Sequence, residues 1–340
     1  MSPDSLTAEN RDLRSMADAL FTAAIDREAT RSGDFDADLW EELHAVGLAD
    51  LTAPASVGGS DATWRQAALV LDSAARHGIQ VPVAEHDLLA GWLLRTIGDP
   101  DGSSRTDTFG LSNDGASCVL PWADVAETAV ILREQNGEWH YARLRLHSDD
   151  APPAVAFGGV TWSRLSELEA VNWKPVGSPG VADAVIRRGA AVRSIQVAGA
   201  MDGMNSLTVE HAMMRRQFGQ PLRKFQAVQR LLADVAAHSA LAGTAVARLV
   251  DALEQDAVTD ADVAVAKSCV GRSAEVLVRA SHQVHGAIGT TQEHRLHRFS
   301  GAIYAWSRDF GGAATWERKL AEHLSGPEAA QDLWRLVTGV

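Results

Sequence analysis

Two arginines stand side by side, Arg215 and Arg216, ahead of Gln217, Phe218, Gly219, Gln220 and Pro221. A guanidinium is a planar fork of donors that matches phosphate oxygens, so the pair is a candidate phosphate grip. The same charges would also complement the dipole at a helix end, and the residues alone leave both roles open. A second stretch, Gln283-Val284-His285-Gly286-Ala287-Ile288-Gly289-Thr290-Thr291-Gln292-Glu293, sets an imidazole among glycines that allow close backbone approach. His285 is either a candidate acid or a packing residue beside that loop, and the spacing places no carboxylate partner for it.

Other reactive groups are isolated. His77, Glu85 and His86 lie near the break Val81-Pro82-Val83, where the spacing offers at most two ligands on one face. They read as solvated loop residues, and no metal site is expected. Cys118 and Cys269 have no Cys or His at metal spacing, and lone thiols fit a reducing cytoplasm. Asp309-Phe310-Gly311 spells a kinase triplet, but no kinase glycine-rich loop or catalytic-loop motif accompanies it. Glu293 and Glu317 read as surface or structural acids.

Periodicity gives the elements that would position these groups. Residues 5 to about 50 read as helices, with Leu13, Met16, Ala17, Leu20, Phe21 and Ala24 on one face. Asp38 is placed to cap a second helix ending near Gly47. Pro54 and Gly58-Gly59 mark a loop, and residues 62–97 read as helical around the Val81–Val83 break. Gly98 to Gly102 reads as a linker. Short β-branched or alternating runs follow at 117–120, 129–132, 139–146, 154–157 and 170–175. From Asp183 the pattern is helical. One stripe runs through Val192 and Ile195, and another through Val228, Leu231, Leu232, Val235, Ala242, Val246 and Leu249. A third, capped by Thr259 or Asp260, runs through Val263, Lys267, Val270 and Leu277. Long helices with short links predict an antiparallel bundle. The expected fold is mostly α with a small central β domain, divided as 1–106, 107–182 and 183–340.

The chain has 340 residues and a formal charge of −13, which argues against a nucleic-acid partner that needs a basic face. No apolar run reaches membrane-spanning length and no apolar signal core stands at the N-terminus, so a cytoplasmic protein is expected.

Arg-x-Gln-Phe-Gly-x-Pro from Arg215, followed by Phe-Gln-x-Val-Gln-x-Leu-Leu-Ala-Asp from Phe225, resembles the signature of the acyl-CoA dehydrogenase family. The run from Trp40-Glu41-Glu42-Leu43 through Gly47-Leu48 to Pro54 and Gly58-Gly59 is similar to that family's N-terminal helical domain. The Gln283–Glu293 stretch resembles the segment crossing the FAD pyrophosphate, with Ala287 in place of a second glycine. The resemblance implies the family's three-domain architecture and FAD as cofactor, gripped across a subunit interface. Arg215 would pair with the pyrophosphate, Gln217 and Phe218 would contact the dinucleotide, and Gln226 would sit by the adenosine. Gln283 and Gly286 match the backbone crossing. The flavin-ring segments correspond to Leu111-Ser112-Asn113-Asp114 and Pro121-Trp122-Ala123, which depart from the family pattern; Trp122 either stacks or packs the sheet.

The family reaction takes a proton from Cα of an acyl-CoA with a glutamate base and a hydride from Cβ with the flavin. Most members carry the base 27 residues after the matched Gln, which here is Phe310. A minority carry it 26 residues before the Arg, which here is Gly189. Neither residue can abstract a proton; Asp309 is the fallback. The chain resembles the short, glutamate-lacking subunit of α2β2 actinobacterial dehydrogenases of sterol side-chain degradation. That implies a longer partner carrying the base, an acyl-CoA substrate and an electron-transfer flavoprotein as acceptor. Two other readings stay open: a homo-oligomeric flavoenzyme using Asp309 or other chemistry, and a flavin-free homologue.

Overall fold

The computed structural model describes residues 7–25, 35–100, 104–146, 154–291 and 293–325. The chain divides into two compact units. One comprises Met1–Asp18, Trp64–Gly78 and Ala190–Val340; the other comprises Ala19–Thr63 and Ile79–Gly189.

Helix α1 (Ala8–Ile25) buries Ala17, Phe21 and Ala24 completely, while Met16 is exposed, so its apolar face is narrower than the spacing predicts. Helix α2 (Ala37–Ala45) is capped by Asp36, whose carboxylate accepts the Leu39 N–H at 2.9 Å. Asp38, the expected cap, lies in the first turn instead, where its charge still faces the positive end of the helix dipole. Helix α3 (Trp64–Arg76) is followed by a π-helical stretch, Ala84–Gly91, which runs into α4 (Trp92–Thr96). Glu85 and His86 sit in this π-helix, 2% and 5% exposed, so they are not the solvated loop residues that the Val81–Val83 break suggests. Of the expected linker, residues 101 and 102 lie outside the described residues.

The strands of the two larger sheets belong to the second unit. One sheet has the order β1 (Asp107–Ser112), β3 (Thr128–Gln135), β4 (Glu138–Arg145), β7 (Lys174–Pro175). Its β1 and β3 are parallel, with Asp107 opposite Thr128, and the other pairs are antiparallel. The second sheet has the order β2 (Cys118–Pro121), β6 (Val160–Leu165), β5 (Ala154–Phe157). Five consecutive residues of β3, Thr128–Leu132, are buried, as in a strand covered on both faces. Cys118, Leu120, Ala123, Ala129, Ile131 and Leu168 form the core here. Strands β1 and β6 have no counterpart among the runs read from the sequence.

The first unit is helical. Helix α5 (Pro179–Met214) is 36 residues long and enters this unit at Ala190. Helix α6 (Gln226–Glu254) buries Val235, Ala242, Val246 and Leu249, while Val228, Leu231 and Leu232 stay half-buried. Helix α7 (Asp260–His285) starts with a reciprocal cap: Thr259 Oγ1 accepts the Asp262 N–H, and the Asp262 carboxylate accepts the Thr259 N–H. Helices α8 (Leu296–Arg308) and α9 (Ala313–His323) follow. Helix α3 crosses α5 at backbone distance: a Cβ on Gly203 would collide with the Arg76 carbonyl, and one on Gly199 would press on the Asp72 carbonyl. Only glycine permits that approach.

Candidate functional site

The loop that opens with Arg215 begins where α5 ends. The Arg215 N–H still donates to the His211 carbonyl at 2.8 Å, and the chain then turns into the hairpin β8 (Arg216–Gln217) and β9 (Gln220–Pro221). The two tip residues, Phe218 and Gly219, have φ of 49° and 80°. Positive φ at both centres is what a two-residue hairpin of the I′ type needs. Arg216 Nη2 donates to the Gly219 carbonyl at 3.0 Å and staples the turn. The two arginines therefore differ: the Arg215 guanidinium is exposed and makes no ion pair or hydrogen bond among the described residues. The Phe218 ring stands 91% exposed, edge-on to Phe225 with centroids 6.2 Å apart. Gln217 is exposed in β8, and Gln226 is exposed at the first position of α6.

The second segment ends α7. Gln283 is exposed, and Gly286 closes the helix at φ 65°, ψ −147°. Essentially only glycine occupies that region, and the space where a Cβ would sit is open. Gln292 of this motif lies outside the described residues. The structure brings the two segments together through their histidines. His211, one turn before Arg215, stacks on His285 at 4.3 Å, and His294 meets His285 edge-on at 4.8 Å.

His285 Nδ1 donates to the Ser281 carbonyl at 2.8 Å, while Nε2 is buried without a hydrogen-bond partner among the described residues. Burial first, then the neighbouring histidines, push its imidazole down to about 4. It is thus neutral and packed, in line with the packing role rather than that of an acid. Burial also lowers His211, with His294 and Arg215 adding to the effect. These three imidazoles could in principle meet a metal ion. However, His294 Nδ1 already accepts the Leu296 N–H at 3.2 Å, and Arg215 and Arg295 make the surroundings cationic. His211 is not singled out by the sequence, though its i, i+4 spacing from Arg215 places both on one helix face.

The two positions to which the resemblance assigns the base are Gly189 and Phe310. Gly189 is buried within α5. Phe310 adopts φ 54° in the turn after α8. Next to it, Asp309 Oδ2 accepts from Arg193 Nε at 2.8 Å, and Asp309 Oδ1 accepts the Phe310 N–H at 3.1 Å. Arg193 is 1% exposed and also donates to Gln196 at 2.8 Å. Lys267, 3% exposed, donates to the carbonyls of Asp309 at 2.8 Å and Ser307 at 3.3 Å. Burial pushes this ammonium down to about 8, with Asp309 opposing and Arg193 reinforcing the shift. Each oxygen of the Asp309 carboxylate therefore accepts one structural bond, from a buried guanidinium and from the next backbone N–H.

The other implied contact does not form a ring pocket. Trp122 is 3% exposed and packs edge-on against Phe35 at 5.9 Å, so it is a core residue. Glu317 is a structural acid, as read from the sequence: Arg272 and Ser268 hold its carboxyl down to about 2.

Residues 7–105 match the acyl-CoA dehydrogenase N-terminal domain, and residues 180–307 match the acyl-CoA dehydrogenase C-terminal domain. The chain belongs to the acyl-CoA dehydrogenase family. It is 28% identical over 283 residues to the acyl-CoA dehydrogenase IpdE2 of Mycobacterium tuberculosis, covering 82% of this chain and 83% of that protein. Among solved structures, the ChsE4-ChsE5 complex of Mycobacterium tuberculosis contains a chain that superposes with a TM-score of 0.78 at 21% identity, over 94% of this chain and 98% of that one. A variant of the Tcur3481-Tcur3483 steroid ACAD does so with a TM-score of 0.77 at 22% identity, over 93% and 98%. No helix among the described residues is long and apolar enough to cross a membrane.

Proposed function

We propose that this chain is the base-less subunit of a heteromeric, FAD-dependent acyl-CoA dehydrogenase in the cytoplasm. A longer family member would supply the glutamate in an α2β2 assembly, and an electron-transfer flavoprotein would accept the electrons. The single observation that carries this reading is the Arg193–Asp309 ion pair at 2.8 Å. A general base must be placed within hydrogen-bond reach of the substrate proton, and here the acid nearest the position the resemblance assigns is anchored to a buried guanidinium.

FAD, when bound, supplies the acceptor for the Cβ hydride. Towards it this chain offers the exposed Arg215 guanidinium, the Gln217, Gln226 and Gln283 amides, the Phe218 ring and the open backbone at Gly286. Arg215 would neutralise pyrophosphate charge with charge-assisted hydrogen bonds. With Trp122 buried, the flavin ring would be housed by the partner. A steroid side-chain thioester as substrate is supported by the likeness to the Tcur3481-Tcur3483 steroid ACAD.

The test is to purify the chain alone and with a longer acyl-CoA dehydrogenase encoded beside it, recording the flavin spectrum and mass by light scattering. A colourless lone chain and a flavin-loaded heterotetramer are expected. A lone chain that binds FAD and oxidises an acyl-CoA would sink the proposal in favour of a homo-oligomer with Asp309 as base.

A further inference from the structure

A second polar cluster lies in the other compact unit, away from any residue assigned above. It is formed by His44 in the last turn of α2, Asp50 in the loop that follows, His86 in the π-helix and Asp107 at the start of β1. His44 Nδ1 is 3.4 Å from Asp50 Oδ2, and His86 Nε2 is 3.2 Å from Asp50 Oδ1. In a tetrahedral site with ligand bonds of about 2.0–2.1 Å, neighbouring ligand atoms lie roughly 3.3 Å apart; here the two imidazoles meet different oxygens of Asp50, so the carboxylate would turn to present one oxygen or bind through both. The ligand atoms of the three side chains all lie within 4.8 Å of one another.

The far nitrogen of each imidazole is also engaged. His44 Nε2 lies 2.9 Å from the Arg105 carbonyl, and His86 Nδ1 lies 3.3 Å from Asp107 Oδ2. A ligating histidine characteristically donates its other N–H to a backbone carbonyl or a carboxylate, which fixes the tautomer and strengthens the ligand. His86 Nδ1 also lies 3.0 Å from the Asp107 N–H, so a metal on Nε2 would make Nδ1 donate to the carboxylate in place of accepting that N–H. The surroundings are rigid. Trp40 packs edge-on against both imidazoles, at 4.7 and 5.7 Å, and Asp87 accepts the Thr52 N–H at 2.7 Å, pinning the Asp50 loop to the π-helix. π-Helical turns recur at functional sites. The histidine side chains are 14% and 6% exposed and the Asp50 side chain 39%, which leaves an entry path and an open position on the Asp50 side.

We infer that His44, Asp50 and His86 form a mononuclear site for a borderline divalent cation of the Zn²⁺ class, with Asp107 as a positioning residue. Two imidazoles and one carboxylate suit such an ion better than Mg²⁺ or Ca²⁺, which prefer oxygen ligands. This inference does not depend on the subunit role proposed above.

The test uses Co²⁺ as probe on the full chain after stripping with EDTA. One equivalent should bind, read as the visible ligand-field band of a low-coordinate ion, and Zn²⁺ should displace it. Asp50→Asn and His44→Gln, both at partly exposed side chains, should weaken Co²⁺ at least tenfold with the circular dichroism unchanged. Asp107→Asn leaves all three ligands in place and should weaken it by about tenfold to a hundredfold. His211→Asn, in the other histidine cluster, should bind like the parent. No saturable uptake by the parent at millimolar Co²⁺ would mean that Asp50 only hydrogen-bonds two imidazoles, and would overturn the assignment. A band that survives Asp50→Asn and His44→Gln, or that vanishes in His211→Asn, would place the ion elsewhere and overturn it equally.

Discussion

Arg193 Nε donates to Asp309 Oδ2 at 2.8 Å, from a guanidinium that is 1% exposed. Asp309 stands next to Phe310, the position to which the family resemblance assigns the catalytic carboxylate, while Arg193 reaches it from α5. Removing the charge on Asp309 strands a buried cation, so Asp309→Asn should lower stability by about 1–3 kcal/mol. Turnover of the proposed heteromer should stay nearly intact. Denaturant unfolding and a dye-linked dehydrogenation assay separate the two effects. Abolished proton abstraction with normal flavin content and assembly would make Asp309 the base.

In the FAD role proposed for it, Arg215 makes one charge-assisted phosphate contact, worth roughly 1.5–3 kcal/mol when well formed, and Arg215→Ala removes it. FAD should then dissociate from the proposed heteromer about tenfold to a hundredfold more readily. Equilibrium dialysis followed by flavin absorbance measures this. Arg216→Ala acts on the turn rather than the ligand, and should shift hairpin order more than the charge dependence of binding.

Acidification should destabilise the protein through the histidine cluster. Burial holds His285 down to about 4 from an ordinary value of 6.5, and His211, His282 and His294 are lowered in the same direction. Between those values the unfolded chain binds more protons than the folded one. The contribution is therefore present above about 6.5 and is lost as pH falls towards 4. His285 alone sets a slope of up to about 1.4 kcal/mol per pH unit in that window. Urea midpoints should fall from pH 7 to pH 4, and less so in His285→Gln; a parallel decline in that variant would remove His285 as the cause.

Gly203→Ala should destabilise by about 1–3 kcal/mol, because the new methyl group overlaps the Arg76 carbonyl and the Phe299 ring. Thermal unfolding of the variant tests this. Gly243→Ala, where a Cβ meets nothing within 4 Å, is the matched control and should be neutral or slightly stabilising.

The helices were legible because their faces repeat. Val263, Lys267, Val270 and Leu277 are buried as the stripe requires, and Thr259 caps the helix they lie on. Strand β1 was not legible, since Asp107, Gly110 and Ser112 are residues that local preference assigns to loops. Tertiary contact decides there: a Cβ on Gly110 would strike Leu120 and Cys118. The Arg215 loop could be read from its residue types, because an exposed motif carries its chemistry locally. The Arg193–Asp309 pair could not, because its members lie 116 positions apart. The His44–Asp50–His86 cluster escaped because His86 lies 36 positions from Asp50 and sits in a π-helical turn where a proline-marked break suggested a loop.

At Gly286 the constraint is one of genetics as much as of geometry. Its φ of 65° and ψ of −147° exclude side chains, although nothing lies within 4 Å of where one would go. Every single-base missense change of a glycine codon introduces a β-carbon, so no one-step amino-acid replacement at this codon keeps the backbone relaxed. Drift there is closed to the gene even though the space is empty, and a saturation library sorted for folded protein should return glycine.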